Sequence, residues 1–254
     1  MEEENLVFYF IFLVLCLIAT VGGYFVYSGL LYAVNVETKQ KVLKNFRVAY
    51  KFARGPYKEC GHLFTEAHSV APNLKTFAIY YDNPQQVAPH SLRYCVGSVL
   101  SDDPQAPKNE ELMKDFEKYG FKEVTFPEME YAVCTTFPFN GTLSLFLATI
   151  KVYPKLTEYI TERDLTAHPV IEIYEPNQIK YFVPLSRQEE FYVPEALEVE
   201  EEILNSESDI PSEKEAEGVD QVLPRAPSSK EEVENGSENS ESSYEKVSEA
   251  FDEE

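Results

Sequence analysis

The chain has 254 residues and a formal net charge of −22. Its length leaves room for one membrane anchor, one domain of ordinary size and a tail, but not for a second large core. Binding to nucleic-acid phosphates requires clustered Lys and Arg, and the acidic excess therefore predicts no direct binding of DNA or RNA. The charge is uneven, because residues 195–254 contain 21 acidic and only 4 basic residues.

The first predicted element is a transmembrane helix over residues 6–27, an uncharged and largely apolar run. At 1.5 Å rise per residue, such a helix covers the roughly 30 Å hydrocarbon core of a bilayer. Residues 1–5 carry acidic side chains where a cleaved signal peptide has basic ones, so we expect the helix to be retained. Four basic residues follow it and predict a lumenal N-terminus and a cytosolic C-terminal side: Lys39, Lys41, Lys44 and Arg47.

Two N-glycosylation sequons provide a test of this topology. They begin at Asn140 and Asn235, and they would be acceptors only if the C-terminal side were lumenal. Residues 28–45, between the helix and the next apolar segment, are predicted to be a juxtamembrane linker.

Residues 46–193 are predicted to form one α+β domain, because aromatic and β-branched runs alternate with helical patterns. The order strand, helix, strand, strand occurs twice, which predicts a duplication with one shared sheet and helices on one side. The segments are 46–52, 56–69, 76–81 and 93–100 in the first unit, and 131–137, 152–163, 169–174 and 179–185 in the second. An amphipathic helix over 109–119 separates them. The pattern leaves open whether 143–150 is helical or extended, and it places Pro154 in the first turn of the second unit's helix.

No catalytic motif is recognisable in the sequence. It contains no Ser/His/Asp spacing, no H-E-x-x-H, no phosphate-binding loop and no glycine-rich dinucleotide turn. Its four histidines and four cysteines lack the spacing of metal ligands. We therefore expect a protein that is not an enzyme and that holds neither a metal nor another cofactor.

Residues 194–254 are predicted to be a disordered acidic tail, since too few apolar residues are available to offset the entropy of ordering. Within it, Tyr244-Glu245-Lys246-Val247 places an aromatic residue three positions before an aliphatic one. An extended peptide that adds to a sheet edge delivers two such side chains to two apolar pockets. The alternative is a solvated tail in which the tyrosine has no role. Three neighbouring serines are phosphorylation candidates: Ser240, Ser242 and Ser243.

Several stretches resemble the testis-expressed protein 264 family: VAYKF (48–52), GHLFTE (61–66), YYDNP (80–84), VGSVLS (96–101), FPFNGTLSLFLAT (137–149) and EFYVPE (190–195). The resemblance implies a GyrI-like domain with a duplicated βαββ fold, carried by an endoplasmic reticulum membrane protein that acts as a receptor for selective autophagy. It implies ubiquitin-like autophagy modifiers as partners of the tail motif, and therefore a presence at autophagosomes. It also implies recruitment of an AAA+ unfolding ATPase at the nuclear periphery during DNA–protein crosslink repair. The family's usual motif core is phenylalanine-glutamate-glutamate-leucine, and the smaller valine found here fills its pocket less fully.

The same resemblance implies a ligand site within the domain. GyrI-like domains often have a pocket for cationic amphiphiles, with an acidic residue on a central strand. Glu172 matches that position, on a predicted strand with Val170 and Tyr174 on the same face. A carboxylate among aromatic rings attracts a cation, and this would make the chain a membrane-tethered binder of small molecules. The alternative is that Glu172 lies on a solvated face of the sheet.

Overall fold

A computed structural model describes residues 2–103 and 106–198 of the chain. In the described residues, a long N-terminal helix is followed by a domain of eight strands and three α-helices of nine or more residues, with shorter helical segments between and after them. The helices are α1 (Glu2–Tyr27), α2 (Gly61–Val70), α3 (Glu110–Lys118) and α4 (Thr142–Glu162). The strands are β1 (Glu37–Leu43), β2 (Phe46–Arg54), β3 (Thr76–Tyr80), β4 (Arg93–Ser101), β5 (Lys122–Phe126), β6 (Met129–Pro138), β7 (Val170–Glu175) and β8 (Gln178–Pro184).

All eight strands form one antiparallel sheet in the order β1-β6-β8-β7-β3-β4-β2-β5. The units β2-α2-β3-β4 and β6-α4-β7-β8 meet at the centre, where β3 pairs with β7. This arrangement confirms the predicted duplicated βαββ fold. The strand that precedes each unit pairs with the outer strand of the other unit, because β1 pairs with β6 and β5 pairs with β2. The two halves therefore complete each other's sheet.

The domain is longer at both ends than the sequence predicts. Strand β1 lies inside the predicted linker 28–45, so the sheet begins at Glu37. Neither β1 nor β5 was predicted, since β1 is an edge strand with largely polar and mostly exposed side chains, and β5 is an edge strand of only five residues that begins with two charged ones. At the other end, residues 194–198 are helical and Ala196 is fully buried, although the tail was predicted to begin at 194.

Helix α4 begins ten residues earlier than predicted. It includes residues 143–150, which are therefore helical and not extended. Its buried residues lie on one face at helical spacing: Ser144, Leu147, Ala148, Val152 and Leu156. Pro154 consequently lies inside the helix rather than in its first turn. It removes one helical hydrogen bond, to the carbonyl of Ile150, on the exposed side of the helix. Burial of the apolar face outweighs that loss.

The two faces of the sheet are covered differently. One face packs against α2, α3 and α4, in agreement with the prediction of helices on one side. The opposite face buries its side chains against one another and against the C-terminal segment, which contributes Phe191, Val193 and Ala196. Arg93 holds this segment by donating from Nη1 to the carbonyl of Ala196 at 2.8 Å. The hydroxyl of Tyr50 donates to Glu195 Oε2 at 3.0 Å.

The end of α1 is attached to the domain by the side chain of Asn140, just before α4, and by that of Lys151, near the middle of α4. Asn140 donates from Nδ2 to the carbonyl of Tyr27 at 2.8 Å. Lys151 donates from Nζ to the carbonyls of Gly29 at 3.2 Å and of Tyr32 at 2.8 Å. A cation is favourable here because carbonyl groups at the C-terminal end of a helix carry partial negative charge. We call this contact, formed by residues 27–32 with Asn140 and Lys151, the joint.

Candidate functional site

Glu172 lies on β7 at the centre of the sheet and faces the helices. Its backbone is paired with Ala78 of β3 on one side and Tyr181 of β8 on the other. Only 4% of its surface is exposed, so the alternative of a solvated sheet face is wrong. The hydroxyl of Tyr153, from α4, donates to Oε1 at 2.6 Å, and the hydroxyl of Tyr174 donates to Oε2. The structure therefore places the predicted pocket acid inside the domain, with both oxygens hydrogen-bonded.

Aromatic side chains from both halves surround this carboxylate. The ring of Tyr174 packs edge-on against Phe64 of α2 at 5.0 Å between centroids, and the ring of Tyr153 packs against Tyr181 at 6.1 Å. Sequence reasoning placed Tyr174 beside Glu172 but missed Tyr153. The buried positions Val152 and Leu156 place Tyr153 only at the border of the buried face of the helix, as they also place the exposed Lys155, so the sequence contained no clear signal for this contact.

Burial controls the electrostatics of the site. It raises the pKa of Glu172 above the ordinary value of 4.5, although the two hydrogen bonds from tyrosine hydroxyls oppose that shift. Burial and the neighbouring carboxylate raise the pKa values of Tyr153 and Tyr174 well above 10.0. Burial also raises the pKa of the nearby Cys60 thiol to about 11. Near neutral pH the tyrosines and the thiol are thus uncharged, and Glu172 is the group that can provide charge.

The arrangement suits electrostatic binding of a cation, since hydroxyl groups rather than Lys or Arg side chains hold the carboxylate in the described residues. A bound cation would add an ionic contact and would also face aromatic rings. The site is closed, however. Two surface depressions, beside Leu112 and beside Lys122, lie elsewhere and do not include Glu172. Because Glu172 is only 4% exposed, a ligand reaches its carboxylate only if surrounding side chains move.

The raised pKa of Glu172 predicts a specific pH dependence of stability. A carboxyl whose pKa is higher in the folded state stabilises the fold below its unfolded pKa and loses that contribution as pH rises through the folded pKa. Relative to wild type, Glu172→Gln should therefore gain stability as pH rises above 4.5, with a slope of at most about 1.4 kcal/mol per pH unit. Denaturant unfolding of the full chain in detergent micelles at several pH values measures this difference.

Glu175, on the same strand, provides the control. Its hydrogen bonds with Lys180, Gln178 and Lys75 outweigh the effect of its partial burial and lower its pKa to about 2. The change of stability with pH is therefore opposite in sign to that expected for Glu172. Glu175→Gln should lose stability relative to wild type as pH rises from about 2 to 4.5. Parallel pH curves for wild type and Glu172→Gln would contradict a raised pKa of Glu172.

The predicted tail motif and its flanking serines lie outside the described residues. This holds for Tyr244, Glu245, Lys246 and Val247, and for Ser240, Ser242 and Ser243. Their predicted roles therefore stay predictions from the sequence. The described residues contain one helix that is long and apolar enough to cross a membrane, Asn5–Tyr27, and none of it is buried within the protein.

Comparison with known proteins supports the fold and the resemblance. The profile of the GyrI-like small molecule binding domain matches residues 37–186. The chain is 46% identical to human testis-expressed protein 264 over 188 residues, which are 74% of this chain and 60% of the human protein. It is 46% identical to the mouse homolog over 174 residues, or 68% of this chain and 56% of the mouse protein. The match thus spans less than two thirds of the length of these curated relatives.

Among solved structures, one that matches part of the chain is an uncharacterized conserved protein from Listeria innocua. It covers 60% of this chain and 92% of its own, with 12% identity and a TM-score of 0.39. This likeness is too distant to support an argument about activity. The family match itself begins at the first residue of β1 and ends just after β8, and so includes the whole sheet around Glu172. The chain belongs to the family of GyrI-like small molecule binding domains, and it carries this domain behind an apolar helix that could span a membrane.

Proposed function

We propose that this chain is a membrane receptor for selective autophagy of the endoplasmic reticulum, which binds ubiquitin-like autophagy modifiers through Tyr244 and Val247. The observation that carries the proposal is the exposure of the helix Asn5–Tyr27. Its apolar side chains are exposed over its length, except for the partly buried Val14 and Phe25. A helix that is apolar on all sides and buries none of them in protein is stabilised by a bilayer. The 46% identity to human testis-expressed protein 264 supports the same assignment.

The environment of Asn140 supports a cytosolic domain. This residue begins one of the two sequons, yet its side-chain nitrogen donates to the carbonyl of Tyr27 within the joint. A glycan on that nitrogen would occupy the space between the domain and the end of α1. An unmodified Asn140 is compatible with this contact, and a cytosolic location leaves it unmodified.

In the proposed mechanism, α1 anchors the chain in the membrane of the endoplasmic reticulum, and the motif in the tail binds the modifier. About 50 residues separate the domain from Tyr244, and if this segment is disordered, as the sequence predicts, a chain of that length has a root-mean-square span of roughly 40 Å. Acidic residues around the motif would favour encounter with a basic partner surface. Many weak links between two membranes act through effective concentration, so the affinity of each motif can be low.

The proposal is tested by titrating a synthetic peptide of residues 236–254 into a purified autophagy modifier. Tyr244→Ala with Val247→Ala removes both pocket-filling side chains, and we expect the affinity to fall at least about tenfold, or ~1.4 kcal/mol. Isothermal titration calorimetry provides the measurement. The matched control is Phe251→Ala, which removes another aromatic side chain of the same peptide and should leave the affinity unchanged. Absence of binding even with phosphoserine at 242 and 243 would contradict the proposal.

A second candidate function is suggested by the buried Glu172 between two tyrosine hydroxyls. It is the binding of a small cationic amphiphile, with the ammonium group beside the carboxylate and the apolar part among the aromatic rings. Titration of a quaternary ammonium amphiphile into the full chain separates the two candidates. Glu172→Gln should abolish this binding and leave modifier binding intact, whereas the double tail variant should do the reverse. Recruitment of an AAA+ unfolding ATPase stays a prediction that rests on the family resemblance alone.

A further inference from the structure

We propose that the joint controls access to Glu172. While the joint is formed, the hydroxyls of Tyr153 and Tyr174 stay on the carboxylate; when the joint is released, the site opens. What the opened site would bind follows from the second candidate function, on which this proposal rests, but the opening itself is a property of the chain without a ligand. The binding site of the domain thereby responds to the attachment of the domain to its membrane anchor.

Helix α4 carries one contact of the joint and one contact of the site within a single turn. Lys151 donates from Nζ to carbonyls at the end of α1, whereas the hydroxyl of Tyr153 donates to Glu172 Oε1 at 2.6 Å. Successive residues of a helix are about 100° apart, so these two side chains lie on opposite flanks of Val152, which is fully buried against the sheet. The joint therefore holds in place the turn from which Tyr153 reaches the carboxylate.

The segment before α4 provides a second connection of the same kind. Asn140 donates to the carbonyl of Tyr27 at 2.8 Å. The preceding residue, Phe139, packs its ring edge-on against that of Tyr174, with 5.8 Å between centroids. Tyr174 is the other hydroxyl donor to Glu172. Both side chains of the joint are therefore at most two positions from a residue that contacts the site.

Pro154 lies where the backbone of α4 can shift most easily. Proline has no amide hydrogen, so the carbonyl of Ile150 has no helical partner in the next turn. Sharp changes of direction in helices concentrate at such residues. The turn that carries Lys151 and Tyr153 thus ends at a break in the hydrogen bonds of the helix, and a small movement there costs no helical bond to the Ile150 carbonyl.

Movement of α4, rather than of α2, is the change that opens the site. Glu172 is 4% exposed, and α4 covers it with a direct hydrogen bond from Tyr153, whereas α2 contributes the ring of Phe64 to its surroundings. Helix α2 has its own attachment to the sheet, because Glu66 forms an ion pair with Lys51 of β2. Release of the joint therefore frees α4 and leaves α2 in place.

Coupling of this kind acts in both directions. If release of the joint favours the open site by a given factor, a ligand that binds the open site weakens the joint by the same factor. A cation bound at Glu172 would thus loosen the domain from the end of α1.

The test follows the tyrosine rings by fluorine NMR of the full chain in detergent micelles, with 3-fluorotyrosine in place of tyrosine. A water-soluble gadolinium chelate broadens the signals of the rings that solvent reaches, and single Tyr→Phe variants assign the signals. Asn140→Ala combined with Lys151→Glu removes both contacts that define the joint, since carbonyls that attract a cation repel a carboxylate. The matched control is Lys155→Glu, the same change of charge one turn later, where the lysine pairs with the exposed Glu158 at 2.6 Å.

We expect the joint variant to increase the broadening of the Tyr153 and Tyr174 signals by about fivefold or more, the lower end of the usual range of coupling between sites. Lys155→Glu should leave both signals unchanged. Tyr81, which is 6% exposed on the opposite face of the sheet, should not respond in either variant. The milder Lys151→Ala should act in the same direction, and it replaces the joint variant if that protein does not fold.

Unchanged Tyr153 and Tyr174 signals in the joint variant would overturn the proposal. An equal increase for Tyr81 would also overturn it, because the whole domain would then be loosened, and so would an equal increase in Lys155→Glu. Titration of tetramethylammonium separates this result from the second candidate function: the joint variant should bind it about fivefold or more tightly than wild type. If neither protein binds the cation, the candidate function fails, while the Tyr153 signal still decides whether the joint controls the site.

Discussion

Asp82→Ala is expected to lower the free energy of unfolding by about 3 to 5 kcal/mol, the usual cost of removing one partner of a buried ion pair. The Asp82 carboxylate accepts hydrogen bonds from Arg93 Nη2 at 2.7 Å, from Nε at 3.1 Å and from the backbone amide of Arg93 at 2.6 Å. Both side chains are close to fully buried. Removal of the carboxylate takes from the largely buried guanidinium of Arg93 the counterion to which its Nη2 and Nε donate. Denaturant unfolding of the full chain in detergent micelles measures the loss.

Asp102→Ala is the matched control for this prediction. Asp102 also pairs with a basic residue, Lys75, at 3.4 Å, but its side chain is 67% exposed. Solvent screens such a pair, so its removal should change the stability by no more than about 0.5 kcal/mol. If both variants lose the same free energy of unfolding, burial of the pair formed by Asp82 and Arg93 does not increase its contribution to stability.

Gly97→Ala is expected to destabilise the domain by at least about 3 kcal/mol, at the upper limit of the usual cost of overpacking. Gly97 lies in β4 opposite Tyr50 of β2 on one side and Phe77 of β3 on the other. A Cβ atom at this position would lie 1.8 Å from the carbonyl oxygen of Ala49 and 2.8 Å from the Cα of Tyr50. Both are backbone atoms, and neither can move without separating β2 from β4.

Gly61→Ala provides the comparison, because a Cβ atom at Gly61 meets nothing within 4 Å. Gly61 is the first residue of α2, where alanine costs less backbone entropy on folding than glycine. We expect Gly61→Ala to be neutral or to stabilise by up to about 1 kcal/mol. Thermal unfolding monitored by circular dichroism distinguishes the two. A Gly97→Ala protein as stable as Gly61→Ala would contradict the close approach of β2 and β4.

The interior of the domain could be predicted from the sequence, and its periphery could not. Strands such as β3 and β4 carry continuous apolar runs because both of their faces are buried. The edge strands β1 and β5 have one open side and tolerate charged residues, so their sequences do not resemble strands. The strands β1 and β5 can be recognised only from their pairing with β6 and β2 of the other half of the domain. This pairing is a property of the tertiary structure.

The candidate site could be predicted only in part, because some of its contacts also depend on the tertiary structure. The resemblance implied that Glu172 lies on a central strand, and the residue pattern predicted the strand itself. The contact with Tyr153, which comes from α4 on the helix-covered face of the sheet, could not be predicted in this way. The sequence also reads as an acidic tail from residue 194 onward. Glu195 nevertheless belongs to the domain, because Tyr50 binds its carboxylate and Arg93 binds the next residue, Ala196.

The bond between Arg93 and Ala196 has a mechanical consequence. If a partner pulls on the C-terminal segment, the load reaches β4, an interior strand of the sheet, through Arg93 and the buried side chains of Phe191 and Val193. An interior strand is held by neighbours on both sides, whereas an edge strand can be peeled away. At the opposite end, the joint transmits the same tension to α1 through Lys151. Because the chain passes from the joint into β1, an edge strand, we expect the anchored end of the domain to yield under tension before the end that Arg93 holds.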